Sequence, residues 1–358
     1  MKLLKETIES IEPINQEATV EAREFWDSLV HPIGSLGKLE EIGIKLAGIH
    51  GHRITSIPKR GIVVMASDNG IVDADVTSSP QELTWILTKA MADKYTGVSQ
   101  LAIDANAEVI IVDMGMKVDL KDERVISRRI SPCTKNFLIE DAMSYEDAVQ
   151  SIETGIEIAD RLFADGYDIL GTGELGMGNT TTSAAVLAAL LGLSAEETVG
   201  QGSGVSPEQF EKKLNAVKNG IELRKPNLDD PVDVLAKIGG YDIGGLTGVF
   251  LSAAKNKKPV VIDGIISAAA AVTAYKLCEH ANGYMFGSHV TREKGAAFGL
   301  EAMGVDSYVS MEMRLGEGSG CPLAFKLIDS ALFAMNHMGT YEQSKVLEGV
   351  LFNIRDNE

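Results

Sequence analysis

Two hydrophobic patterns alternate along the chain. Residues 61–67, 108–113, 167–170 and 259–263 are short, β-branched and apolar at successive positions, and residues 283–286 form a weaker run of the same kind. Runs that are apolar on both faces predict buried parallel strands. Between them the apolar positions take a longer period. Leu83, Ile86, Leu87, Ala90 and Met91 follow the i, i+3, i+4, i+7, i+8 spacing of one helix face. Similar patterns predict helices over 145–163, 180–193, 207–223 and 265–277. Strand alternating with helix is the signature of an α/β fold, a parallel sheet with helices on both faces. Residues 1–30 and 320–358 show helix patterns without strands, so they are expected to form a small helical lobe beside a large α/β domain over 31–319.

Composition narrows the picture. The chain has 358 residues and a formal charge of −18, with no basic run, which disfavours nucleic acid as a partner. Ordinary apolar and charged fractions, 45% and 23%, argue against global disorder. Glycine is abundant at 36 residues, which suits tight turns and backbone-lined pockets. Cys133, Cys278 and Cys321 are scattered and form no CxxC pair, so neither a disulfide framework nor a zinc site is expected. The six histidines lack metal-ligand spacing, and no metal is expected. The N-terminus turns acidic before any signal segment develops, and the most apolar stretch, 265–275, is far short of the ~20 residues that span a bilayer. A soluble cytoplasmic protein is the expectation.

In parallel sheets chemistry collects where strands end and helices begin. Gly171-Thr-Gly-Glu-Leu-Gly-Met-Gly-Asn-Thr-Thr-Thr182 is such a junction. Its glycines admit close approach of a ligand, and Asn179 and the threonines are expected to cap the following helix. The free N–H groups of that first turn suit a phosphate or carboxylate. It is neither a Walker A loop nor a GxGxxG fingerprint, and its plain alternative is a Gly-rich turn. Glu174 inside it repels phosphate and points instead to a base or a sugar hydroxyl. Met313-Arg-Leu-Gly-Glu-Gly-Ser-Gly320 places Glu317 between glycines, where a carboxylate can take a proton from a closely bound substrate. Arg314 beside it can pair with an acidic group. The alternative for Glu317 is a solvent-facing loop residue. Gln201-Gly-Ser-Gly204 followed by Lys213 offers hydrogen bonds and a point charge to a phosphate, or else is a surface turn.

Taken in order, these segments resemble the nicotinate-nucleotide–dimethylbenzimidazole phosphoribosyltransferase family. The pieces that carry the resemblance are His31-Pro-Ile-Gly-Ser-Leu-Gly-Lys-Leu-Glu40, the Asp68 loop with Pro80 and Thr84, and Gly173-Glu-Leu-Gly-Met-Gly-Asn-Thr-Thr181. Further along come Gly239-Gly-Tyr-Asp-Ile243, Asp263-Gly264, Ser288-His289 and Arg314-Leu-Gly-Glu-Gly-Ser-Gly320. The resemblance implies a Rossmann-like, mostly parallel sheet and a homodimer. It implies transfer of the phosphoribosyl group of nicotinate mononucleotide, a substrate and not a cofactor, to an aromatic base. Glu317 takes the family's general-base position, and Glu174 bears on the ribose or the acceptor. Leu175, Gly176, Gly178, Asn179, Thr180, Gly202, Lys213, Asp263, Thr291, Arg314 and Gly316 fall where the family holds the nucleotide. Ser78, Ser79, Pro80, Gln81 and Leu315 are expected to wall the acceptor, without an aromatic clamp. Two positions depart from the family, Asn69 and Ala296, where histidines are usual. They motivate a second reading, a structural subunit that pairs with an active paralogue. A dehydrogenase is the third, and it lacks its fingerprint.

Overall fold

A computed structural model describes residues 1–202, 204–346 and 352–354. Six strands form one sheet: β1 (Arg60–Ser67), β2 (Ala107–Gly115), β3 (Val125–Ser127), β4 (Ile169–Leu175), β5 (Val260–Ile262) and β6 (Met285–Gly287). Their order is β3-β2-β1-β4-β5-β6 and every pairing is parallel. The four predicted apolar runs and the weaker one are all strands. β3 was not foreseen, because three residues are too few for a pattern.

β4 runs further than its apolar run. The reading stopped at Leu170, yet Gly171, Thr172, Gly173, Glu174 and Leu175 continue the strand and are all buried. Glycine is a poor strand former, and here two glycines are needed for close approach. A methyl on Gly171 would stand 2.6 Å from Cβ of Cys321, and one on Gly173 would stand 2.4 Å from the carbonyl oxygen of Glu317. Glu174 therefore sits on the last turn of a rigid central strand and not in a loop.

The predicted helices are found at Leu83–Ala92, Tyr145–Ala164, Asn179–Leu191, Pro207–Arg224 and Ile265–Leu277. Tyr241–Lys255 was missed, since it is buried from Tyr241 through Ala254 and shows no polar face. It packs on Tyr145–Ala164 at near backbone contact: a methyl on Gly155 would lie 1.8 Å from the carbonyl oxygen of Gly245.

The terminal segments come together around Trp26, which is fully buried. Helix Lys2–Ser10 is the exception: it lies against Tyr145–Ala164 and Tyr241–Lys255, and the Leu4 N–H donates to Glu153 Oε1 at 3.0 Å. Helix Lys38–His50 packs with the rest, with Gly43 facing both Trp26 and Met335 at distances a side chain would close to 2.9 and 3.2 Å. Tyr341 donates its hydroxyl to the carbonyl oxygen of His31 at 2.9 Å. The expected extension of this lobe through 347–351 and 355–358 lies outside the described residues. No helix among the described residues is long and apolar enough to cross a membrane.

Candidate active site

In an open parallel sheet the crevice forms where the strand order reverses, outside the carboxyl ends. Here that point lies between β1 and β4. The chain leaves β4 at Gly176, whose missing side chain lets it pass the carbonyl oxygen of Ser67 at the end of β1; a methyl there would be 2.2 Å from that oxygen. Over this crossing lies a cavity of about 310 Å³.

Glu317 enters it from a loop with unusual backbone. Gly316, Glu317 and Gly318 have φ of 80°, 62° and 90°, three left-handed residues in succession with a non-glycine in the middle. Asp263, at the end of β5, explains how that turn is held. Its two carboxylate oxygens accept the N–H groups of Gly318 at 3.0 Å and Gly320 at 2.7 Å. The Glu317 side chain is buried, and its Oε2 accepts the Val98 N–H at 3.3 Å. Burial pushes its carboxyl above the ordinary value, against the Val98 N–H and the Thr96 hydroxyl, which favour the ionised form.

Glu174 faces the same space. Burial drives its pKa up to about 8, although the Asn179 amide that donates to it, and the neighbouring Asp242 and Asp263 charges, act in opposite senses. It also accepts the Glu317 N–H at 3.4 Å. At neutral pH Glu174 is predominantly the neutral acid, while Asn179 bridges it to Asp242. Asn179 consequently does not cap its helix: Gly178, with φ of 85°, is the N-cap and no side chain closes that turn. The expected Asn and Thr cap is thus corrected.

At the other end Lys213 is almost fully buried on helix Pro207–Arg224. Its ammonium donates to Thr180 Oγ1 at 2.9 Å and to the carbonyl oxygen of Gly200 at 3.0 Å, and burial lowers its pKa to about 8. An ammonium and a helix N-terminus with no side-chain cap form an anion site.

Of the residues expected from sequence, the cavity wall includes Glu174, Leu175, Gly176, Gly178, Asn179, Thr180, Gly202 and Lys213. Thr291, Arg314, Leu315, Gly316, Glu317 and Ser79 complete that set, with Arg314 and Leu315 at the exposed rim. Four expected residues stand elsewhere, among them Pro80, which is exposed and off the wall. Asp263 lies behind the wall, fully engaged by the Glu317 loop. Ser78 is exposed and donates its hydroxyl to the carbonyl oxygen of Gly204 at 2.8 Å. Gln81 turns away, donating to the carbonyl oxygen of Asn69 at 3.3 Å. Sequence reasoning missed Thr77, Met177, His289 and Glu293 as wall residues. The last two lie in the segment from Ser288 to Gly295, where the sequence marked Ser288-His289 as a family match and Thr291 as a nucleotide contact but gave His289 and Glu293 no place in the wall. Those departures, Asn69 and Ala296, are both buried and neither lines the cavity.

Buried carboxylates and a buried ammonium share one cavity at the crossing point of a sheet ordered 3-2-1-4-5-6, which suits an enzyme acting on a phosphorylated substrate, and the class is a phosphoribosyltransferase. A family profile described as phosphoribosyltransferase matches residues 11–346. The nicotinate-nucleotide–dimethylbenzimidazole phosphoribosyltransferase of Clostridium tetani is 47% identical over 99% of both chains, and that of Clostridium perfringens is 44% identical over 99% of both. A crystal structure of the enzyme so named from Thermus thermophilus superposes with a TM-score of 0.89 at 32% identity, covering 94% of this chain and 100% of that one. The chain belongs to the nicotinate-nucleotide–dimethylbenzimidazole phosphoribosyltransferase family.

Proposed function

We propose that the protein transfers the 5-phosphoribosyl group of nicotinate mononucleotide to an aromatic base, releasing nicotinate. The observation that carries this reading is Glu317, a buried carboxylate with raised proton affinity, facing one cavity with the Lys213 anion site. The nucleotide phosphate sits at Lys213, Thr180 and the start of helix Asn179–Leu191. The acceptor sits near Glu317. An acceptor nitrogen attacks C1′ from the face opposite nicotinate, the C1′–nitrogen bond to nicotinate breaks, and the configuration inverts. Nicotinate leaves with the bonding pair as a neutral pyridine nitrogen, so no acid is required. The attacking imidazole would become cationic, and Glu317 takes its other N–H proton. Such a base contributes ~10²–10⁴-fold, and holding the two reactants in one geometry contributes more.

No step draws on a cofactor. Aliphatic side chains, among them Leu83, Leu87, Leu175 and Leu315, make the apolar wall, which suits a flat ring without dictating one. The acceptor is therefore proposed as a class: 5,6-dimethylbenzimidazole or a related base or phenol. A cytoplasmic homodimer is the setting proposed. The structural-subunit reading gains no support, because one chain assembles the cavity with both glutamates in it.

The test is incubation of the purified chain with nicotinate mononucleotide and each of dimethylbenzimidazole, benzimidazole, adenine, phenol and p-cresol, following nicotinate release and product mass. An α-ribosyl product with at least one acceptor is expected. Nucleotide binding without product from any of them overturns the proposal.

A further inference from the structure

Glu293 stands at the phosphate end of the cavity and no step above uses it. Its side chain is 6% exposed. Oε1 accepts the Gly202 N–H at 2.7 Å, while Oε2 is buried without a hydrogen-bond partner. The chain closes around this carboxylate at Gly200, where a methyl would stand 2.2 Å from Oε2. Gly202 is also close to the anion site: a methyl on it would lie 3.4 Å from Thr180 Oγ1 and 3.6 Å from Lys213 Nζ. An ammonium, a hydroxyl and a backbone N–H converge, which is a donor set for phosphate. Two of the three ammonium protons are spent on Thr180 and Gly200, leaving one open. The N–H is already taken by an anion that belongs to the protein.

We propose that Glu293 is a tethered competitor for the phosphate subsite and thereby holds down its affinity for any phosphate. The inference rests on the reading of that subsite given above. The Glu293 carboxylate on Gly202 offsets the Lys213 ammonium beside it, so an incoming phosphate of −1.5 to −2 gains little from the subsite. Partial burial keeps the carboxylate's repulsion from being screened away. Free inorganic phosphate, with no other contacts to draw on, is rejected. A phosphate carried on a nucleoside brings ribose and ring contacts that overcome the repulsion and displace Glu293 from Gly202. The carboxylate thus sets a threshold that only a phosphate with further contacts clears.

The probe is inorganic phosphate, its affinity for the full-length protein measured by calorimetry without turnover. Glu293→Gln keeps an oxygen for the Gly202 N–H and removes the charge. It is expected to bind phosphate about tenfold more tightly than the native chain, with KM for nicotinate mononucleotide falling more than kcat changes. Adding Lys213→Met should abolish the gain. A purely structural role for Glu293 predicts loss and not gain, so phosphate affinity equal to or below the native value overturns the inference, as does a gain that survives without Lys213. If the glutamine variant does not fold, Glu293→Ser carries the same expectation. Failure of the transferase reading would appear separately, as absence of nicotinate release by the native chain, and leaves the phosphate result interpretable.

Discussion

A carboxylate that must collect a proton near neutral pH works best when its own proton affinity is raised, and burial does this for Glu317. The catalytic form is the ionised one. The rate, kcat at saturating substrates, should therefore fall on the acid side as pH drops through the Glu317 value, with a midpoint above 4.5. Glu317→Gln should lose roughly 10²–10⁴-fold in kcat and lose that acid limb as well. A variant within threefold of the native rate would remove Glu317 from the role. Its partner Glu174 is raised to about 8, also chiefly by burial, which favours its neutral acid form. Both residues were legible in the sequence because glycines flank them on motifs of high specificity. Glu293 was not, because what distinguishes it is the burial of one oxygen and the approach of Gly200 from 93 residues earlier in the chain, relations that no local pattern encodes.

Elements with a clean period were read correctly, as were two buried Ala-rich helices that follow a strand, Asn179–Leu191 and Ile265–Leu277. Helix Tyr145–Ala164 has an apolar stripe and was found to within a residue. Its partner Tyr241–Lys255 is buried all round, and its glycines disguise it as a loop. Those glycines are structural. The methyl added by Gly155→Ala would meet the Gly245 carbonyl oxygen at 1.8 Å, backbone that cannot rotate aside. The substitution should destabilise the fold by roughly 2–3 kcal/mol, read as a lower urea midpoint with the slope unchanged. An unchanged midpoint would mean the two helices separate at little cost. β4 makes the same point for the sheet: glycine propensity ended the predicted strand at Leu170, and tertiary approach of the Glu317 loop carried it on to Leu175.

Three carboxylates cluster in the interior with proton affinities raised chiefly by burial: Glu174 to about 8, Asp263 to about 7 and Asp242 to about 6. Unfolded, each would titrate near its ordinary value of 4.5 or 3.8. The folded protein thus holds protons that the unfolded chain has released. The stability this confers is complete below the unfolded values and is lost as pH rises through 6, 7 and then 8. The melting temperature should decline from about pH 4 to about pH 8.5, most steeply at the acid end where all three groups contribute, and Glu174→Gln should flatten the upper part of that decline. A native melting curve that does not move across this range would contradict the buried, proton-rich interior.

Glu174 and Glu317 meet although 143 residues separate them, through a glycine on β4 that lies directly beneath the carbonyl oxygen of Glu317. Local helix formation does not bring them together; the contact is closed by tertiary approach across a long loop. A chain still emerging during synthesis, before residue 317, holds neither the second glutamate nor the wall residues around it, so the proposed reaction waits for the last part of the chain.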